Sequence, residues 1–194
     1  MSQPRDNLEI LAFKSADAWE HWLREHHDGS PGVWLKLAKK ASGLPTVSAG
    51  EAVEVSLCYG WIDGQAVRLD ETHWLLRHTP RRAKSIWSKV NRERVAALIE
   101  SGRMQPAGLR EIELAKADGR WDAAYDPPSR ATVPEDLQRE LDDRPQAAAF
   151  FAGLSSTNRY AILHRLQTAK KPETRARRLE KFVGMLERGE TLYP

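Results

Sequence analysis

The chain has 194 residues, 41% of them hydrophobic, and a net charge of +3; this excludes a disordered chain and fits one large domain or two small ones. At this length a core buries roughly 70% of the unfolded surface, so the fold needs neither a metal nor a disulfide, and the single cysteine, Cys58, excludes an intramolecular disulfide. No stretch approaches the roughly 20 apolar residues of a membrane-spanning helix, and the polar residues 1–9 lack the apolar core of a secretory signal, so the expectation is a cytoplasmic protein without stable membrane insertion.

Residues 8–13 alternate weakly and read as a first strand. Ser15 is an N-cap for a helix carrying Trp19, Trp22, Leu23 and His26 at helical spacing. After a Gly29–Gly32 turn, residues 33–38 alternate as a strand. Ser48 and Glu51 form a capping box, Ala52, Val55 and Tyr59 share the following helical face, and Gly60 stops that helix. Residues 66–69 and 73–77 are short strand-like runs, and Asp70-Glu71-Thr72 between them predicts a hairpin.

Beyond Pro80 the pattern becomes helical. Ser85 is expected to cap a helix running to about residue 100, and Pro106 starts another that ends at Asp118-Gly119. Asp126-Pro127-Pro128-Ser129 is a rigid break. Thr132-x-x-Glu135 reads as a second capping box, opening helices at about 134–142, 145–152 and 156–169, and a last helix runs over 173–188. The expected fold class is α+β: residues 1–125 form an α+β domain with a basic helical segment, and residues 126–194 form a helical C-terminal domain.

Four blocks carry a family resemblance: Tyr59-Gly60-Trp61-Ile62-Asp63-Gly64; the dense run from Thr79-Pro80-Arg81-Arg82 to Lys89-Val90-Asn91; Gly102-Arg103-Met104-Gln105-Pro106-Ala107-Gly108-Leu109 with Asp118-Gly119-Arg120-Trp121; and Lys171-Pro172-Glu173-Thr174-Arg175-Ala176-Arg177-Arg178. In these the chain resembles the YdeI/OmpD-associated (OmdA, bacteriocin-protection) family. The resemblance implies a link to bacteriocin or antimicrobial-peptide tolerance, or to envelope stress, and a family generally described as periplasmic. It implies no catalytic residues.

The sharpest signal is segregated charge. Arg77, Arg81, Arg82, Lys84, Lys89, Arg92 and Arg94 face Glu93 alone, a net of about +6. Lys170, Lys171, Arg175, Arg177, Arg178 and Lys181 make a second basic run. Segregated positive charge attracts polyanions, and Trp87 inside the first run offers a ring for a base to stack on; the same runs also read as solvated helix faces. Helical phase puts Asn91 and Arg94 on the core side with Trp87, Val90, Val95 and Leu98. A buried Arg94 must pair with a carboxylate, for which Asp63 is the candidate, or line an anion pocket. Cys58 reads as a core residue, His26-His27-Asp28 lacks metal-ligand spacing, and the Trp19/Trp22 stripe reads as core. No cofactor or metal is expected. The candidate ligand-binding residues are Trp61, Asp63, Arg81, Arg82, Lys84, Trp87, Asn91 and Arg94, with Arg175, Arg177 and Arg178 as a second patch. Three functions follow: a non-enzymatic binding protein with an anion-binding surface; a nucleic-acid binder using residues 81–94; and an enzyme on a small anionic substrate near Asp63, Asn91 and Arg94.

Overall fold

A computed structural model of the chain describes residues 6–194; the first five positions of the polar 1–9 stretch lie outside the described residues. The chain forms two compact units, one holding the described residues up to Ile86 with Asn91–Asp122, the other Trp87–Val90 with Ala123–Pro194. The fold class is α+β, with a four-stranded sheet in the first unit and helices in the second. None of the helices is long and apolar enough to cross a membrane among the described residues.

The first unit is built on β2 (Val33–Ala38), which pairs in parallel with β1 (Glu9–Leu11) and antiparallel with β4 (His73–Pro80), while β3 (Trp61–Arg68) closes the order β1-β2-β4-β3. A parallel β1–β2 pair needs a crossover, and α1 (Ala16–His26) supplies it, its Ser15 cap accepting from Ala18 N at 3.3 Å. The β3–β4 hairpin turns where expected, with Asp70 Oδ1 accepting from the amides of Thr72 and His73, both at 2.7 Å. Both strands run longer than the sequence pattern suggests. Ladder hydrogen bonds extend them through Trp61↔Pro80 even where alternation fades, and a register shift between Asp63 and Ala66 absorbs the mismatch.

The β-sheet pleat sends Val33, Leu35, Leu76 and His78 to one face and Trp34, Leu75 and Val67 to the other. The second face is apolar as well, because Leu8 and Leu69 pack on Trp34, Val67 and Leu75. Asp6 ties the incoming chain there, accepting from Trp34 Nε1 at 2.6 Å and Arg77 Nε at 2.8 Å. These bonds, Trp34 first, hold the Asp6 carboxyl below its ordinary range. Arg77, counted in the basic run, is therefore an anchor for the N-terminal segment.

On the first face α1 packs on α2 (Ala49–Cys58), whose Ser48/Glu51 capping box forms as expected. Trp19 lies at the centre, its Nε1 donating to Ala52 O at 3.2 Å and Ser56 Oγ at 3.3 Å, its ring stacked on Trp22 and edge-on to Trp61. Ser56 Oγ and His78 Nδ1 share a hydrogen bond of 2.7 Å, and both residues are 0% exposed. Among the described residues His78 Nε2 has no hydrogen-bond partner. Burial pushes the His78 imidazole down to about 3, so it is neutral in the fold. The Cys58 thiol, also buried, is pushed up to about 11, chiefly by burial.

Gly60 ends α2 with φ +73°, a conformation suited to glycine. The chain later continues into α3 (Lys89–Glu100) and α4 (Pro106–Ala117). Gly108 lets α4 lie against the end of α2: a Cβ there would stand 2.4 Å from Cys58 O and 2.6 Å from Leu57 O.

The second unit packs α5 (Glu135–Asp142), α6 (Pro145–Gly153), α7 (Ser156–Gln167) and α8 (Pro172–Glu187) around Leu137, Leu141, Phe151, Ile162, Leu166, Phe182 and Leu186. The expected Thr132 capping box does not form. Pro134 is the N-cap, so Thr132 sits outside capping reach, and Asp136 Oδ1 instead accepts from Leu137 N at 3.0 Å.

Two stability predictions follow from these contacts. Gly108→Ala forces α2 and α4 apart and lowers unfolding free energy by about 1–3 kcal/mol, whereas Gly50→Ala, with nothing within 4 Å of the new methyl, is neutral or stabilising by up to about 1 kcal/mol; urea titration followed by tryptophan fluorescence separates them. The His78 imidazole takes its proton in the unfolded chain near pH 6.5 but in the fold only near 3. The unfolded state then binds more protons across that window, and acid erodes stability by up to about 1.4 kcal/mol per pH unit. His78→Gln flattens this slope relative to wild type between pH 6.5 and 4; identical slopes remove His78 as its source.

Candidate functional site

The residues expected to bind a ligand are placed as follows. Trp61 is buried, its Nε1 donating to His27 O at 3.1 Å. Asp63 is half-buried on β3, opposite His78. Arg81 is 7% exposed and donates to Ile86 O at 3.4 Å. Arg82 and Lys84 are exposed. Asn91 is buried, and the half-buried Arg94 donates to Asn91 Oδ1 at 3.3 Å. The structure thus brings Asn91 and Arg94 together but does not pair Arg94 with Asp63 among the described residues; a neighbouring amide one turn away replaces the expected carboxylate.

Trp87 is 1% exposed and offers no face for a base to stack on. The helix expected from Ser85 begins only at Lys89 because the backbone before it is engaged elsewhere: Tyr125 N donates to Trp87 O at 3.0 Å and Lys89 N to Tyr125 O at 2.9 Å. Other cations of the run are occupied too. Lys89 Nζ contacts Asp126 at 2.7 Å, and Arg92 donates to Trp121 O at 2.9 Å while lying over the Trp121 ring.

In the second patch Arg177 is exposed, but Arg175 grips both Asp136 oxygens at 2.6 and 2.8 Å and donates to Leu166 O at 2.8 Å. The Asp136 carboxyl is lowered and the Arg175 guanidinium raised, each first by their shared hydrogen bond. Arg178 donates to Arg165 O. Two of these three arginines therefore hold α8 against α5 and α7.

A concave site lies on the outer face of α7 in the second unit. It encloses about 360 Å3 and is lined by Pro128, Ser156, Thr157, Tyr160, Ala161, His164, Arg165 and Tyr193. Thr157, Tyr160, Ala161 and His164 recur at helical spacing, which turns them to one side while Ile162, Leu163 and Leu166 enter the core. The segment before the helices is held against α7 by a reciprocal pair. Asp126 N donates to Gln167 Oε1 at 3.1 Å, Gln167 Nε2 donates to Asp126 Oδ2 at 2.7 Å, and the Tyr160 hydroxyl donates to Asp126 O at 2.8 Å. The Tyr160 phenol is pushed up to about 12, first by burial.

The opposite wall comes from the C-terminal residues. The buried Asn158 accepts from Tyr193 N at 2.9 Å and donates to Tyr193 O at 3.1 Å, which fixes Tyr193 beside the groove. Arg165 donates to Tyr193 Oη at 3.0 Å and to Ala161 O at 3.0 Å, with its guanidinium carbon 5.6 Å from the Tyr193 ring centre. A guanidinium has five N–H donors, so Arg165 keeps donors for a ligand. The half-buried His164 stands edge-on to Tyr125, ring centres 4.6 Å apart. Burial lowers its pKa, and the positive charges of Arg165 and Arg178 lower it further. Those two positive charges also favour an anion.

Sequence reading placed α7 but missed this face. The signal available was a Thr157/Tyr160/His164/Arg165 set opposite an apolar stripe; Asn158 and Tyr193 carry no local sign of their meeting. Among the described residues, no group of three His, Cys, Asp or Glu side chains is placed to hold a metal ion.

Comparison with known families divides the chain in a similar way. Residues 11–111, just over half of the chain, match a domain family of unknown function, DUF8412. Residues 130–189 match the family OmdA, described as bacteriocin-protection, YdeI or OmpD-associated. Only the Lys171–Arg178 block of the resemblance falls within the OmdA match; the blocks at 59–64, 79–91 and 102–109 fall within the other, and 118–121 lies outside both. No curated protein and no solved structure matches the chain. The groove residues from Ser156 to Arg165 lie inside the OmdA segment. The chain belongs to the DUF8412 family, whose model spans just over half of it, and its C-terminal region is similar to the OmdA family over residues 130–189.

Proposed function

We propose that this protein is a non-enzymatic binding protein that holds a small anion-bearing ligand in the groove of its C-terminal unit and so contributes to bacteriocin or antimicrobial-peptide tolerance. The observation that carries this reading is Arg165, a guanidinium with uncommitted donors in a concave, tyrosine-lined site. Burial is the first cause of the lowered His164 pKa, and the smaller part due to the positive charges of Arg165 and Arg178 supports the reading, since those charges also attract an anion. The groove's polar groups suit recognition: the Tyr160 hydroxyl is committed to Asp126 O, and the phenol stays protonated near neutral pH. A basic protein does not itself gather cationic peptides, so tolerance would run through the bound ligand.

The nucleic-acid reading keeps the exposed Arg82 and Lys84, with Trp87 removed as a stacking platform. It requires affinity for mixed-sequence DNA or RNA that falls steeply with salt and drops in Arg82→Ala/Lys84→Ala.

For the groove, calorimetric titration with inorganic phosphate and with acetate is expected to show binding that weakens by about tenfold in Arg165→Gln, the loss of a charge-assisted contact. Equal affinity in wild type and variant sinks the reading. Arg175→Ala behaves oppositely: it destabilises the helical unit by about 1–3 kcal/mol through loss of hydrogen bonds to a charged partner yet leaves anion affinity unchanged, as read by far-UV thermal melts beside the same titration.

A further inference from the structure

On the reading that an anion binds at Arg165, we infer that the groove is built for a planar aromatic acid, its ring between the Tyr160 and Tyr193 side chains and its acid group on the Arg165 guanidinium. The volume bears on this first. About 360 Å3 corresponds to roughly a dozen water volumes at ~30 Å3 each, far more than acetate or phosphate occupies. It stands near the lower end of the ~300–1,000 Å3 range of small-molecule sites, which suits a ligand of one or two rings.

The chemistry of the walls narrows the class. Tyr160, Tyr193 and His164 present three rings, and Pro128 adds an apolar surface. Aromatic faces gain most from another ring, stacked or edge-on. Tyr193 is held by both backbone bonds to the buried Asn158, so this wall stands in place before a ligand arrives, which lowers the entropy cost of binding. Arg165 already lies over the Tyr193 ring and donates to its hydroxyl. A carboxylate joined directly to a ring therefore meets the guanidinium next to the stacking surface, where a planar fork matches the two oxygens.

The sign of the charge is fixed by the surroundings. Arg165 is in the groove, and Arg178 reaches Arg165 O from α8. A cationic aromatic ligand would meet the repulsion that already disfavours a protonated His164. The hydroxyls of Ser156 and Thr157 add sites for polar ring substituents.

The test is calorimetric titration of the full chain with 2-naphthoate, benzoate, benzyl alcohol, acetate and inorganic phosphate. Saturable binding is expected, tightest for 2-naphthoate and at least about tenfold weaker for acetate, phosphate and benzyl alcohol, each lacking one half of the recognition. Arg165→Gln weakens 2-naphthoate about tenfold, and Tyr193→Leu, which removes the stacking ring, brings the affinity for 2-naphthoate toward that for acetate. Far-UV circular dichroism establishes that each variant is folded; should Arg165→Gln unfold, Arg165→Lys retains the charge without the planar fork and gives an intermediate loss. Acetate or phosphate binding as tightly as 2-naphthoate, both weakened by Arg165→Gln, overturns the aromatic acid and leaves the anion reading standing. Binding of none of the anions, or equal binding by wild type and Arg165→Gln, overturns both.

Discussion

A guanidinium taken out of water must find oxygen atoms, and much of this protein is organised by that requirement. Arg77 reaches Asp6 and ties the N-terminal segment over the sheet. Arg120, almost fully buried, grips Asp118 and donates to Ser85 O at 2.9 Å. Arg92 takes Trp121 O. In the helical unit Arg175 joins α8 to Asp136 on α5 and to the end of α7. Removing any of these side chains deletes a contact between parts of the chain at least 29 positions apart.

The same requirement reinterprets the basic runs. Read linearly, they are blocks of positive charge with the look of a polyanion surface. In three dimensions most of the arginines are distributed among carbonyls and carboxylates that the fold brings to them, and Arg82, Lys84, Lys170, Lys171, Arg177 and Lys181 are exposed to solvent. Arg165, which belongs to neither run, becomes the functional candidate. Its neighbours are aromatic, its donors are incompletely used, and its charge acts on a half-buried histidine. Context, more than count, decides which cation recognises a ligand.

The two units use buried polar groups differently. In the sheet unit, Trp19, Ser56 and His78 form a polar line through an aromatic core. Both the serine and the histidine are sealed from solvent; their short contact ties β4 to α2, and burial holds the imidazole neutral. In the helical unit, Asn158 spends its amide on the two backbone groups of Tyr193. That amide stands at the edge of the core, and its effect is to build one wall of the groove.

Local signals in the sequence were enough for most elements. Ser15, the Ser48/Glu51 box, Gly60 and Pro106 mark helix ends through groups within three or four residues, so the structure follows them closely. The α+β class follows from the same periodicities, because alternation and helical spacing are properties of neighbouring residues. The 79–91 run departs from expectation where a distant partner intervenes: Tyr125 captures the backbone at Trp87 and Lys89, and the helix starts late. Pro134 displaces the cap expected at Thr132 for a local reason, its own extended backbone. What only the tertiary structure decided is which polar side chains meet. Asp6 with Arg77, Ser56 with His78, Asn158 with Tyr193 and Arg165 with the Tyr193 ring are separated by 71, 22, 35 and 28 positions. No periodicity spans such gaps; packing of the apolar faces brings these groups within reach, and desolvation then compels them to pair.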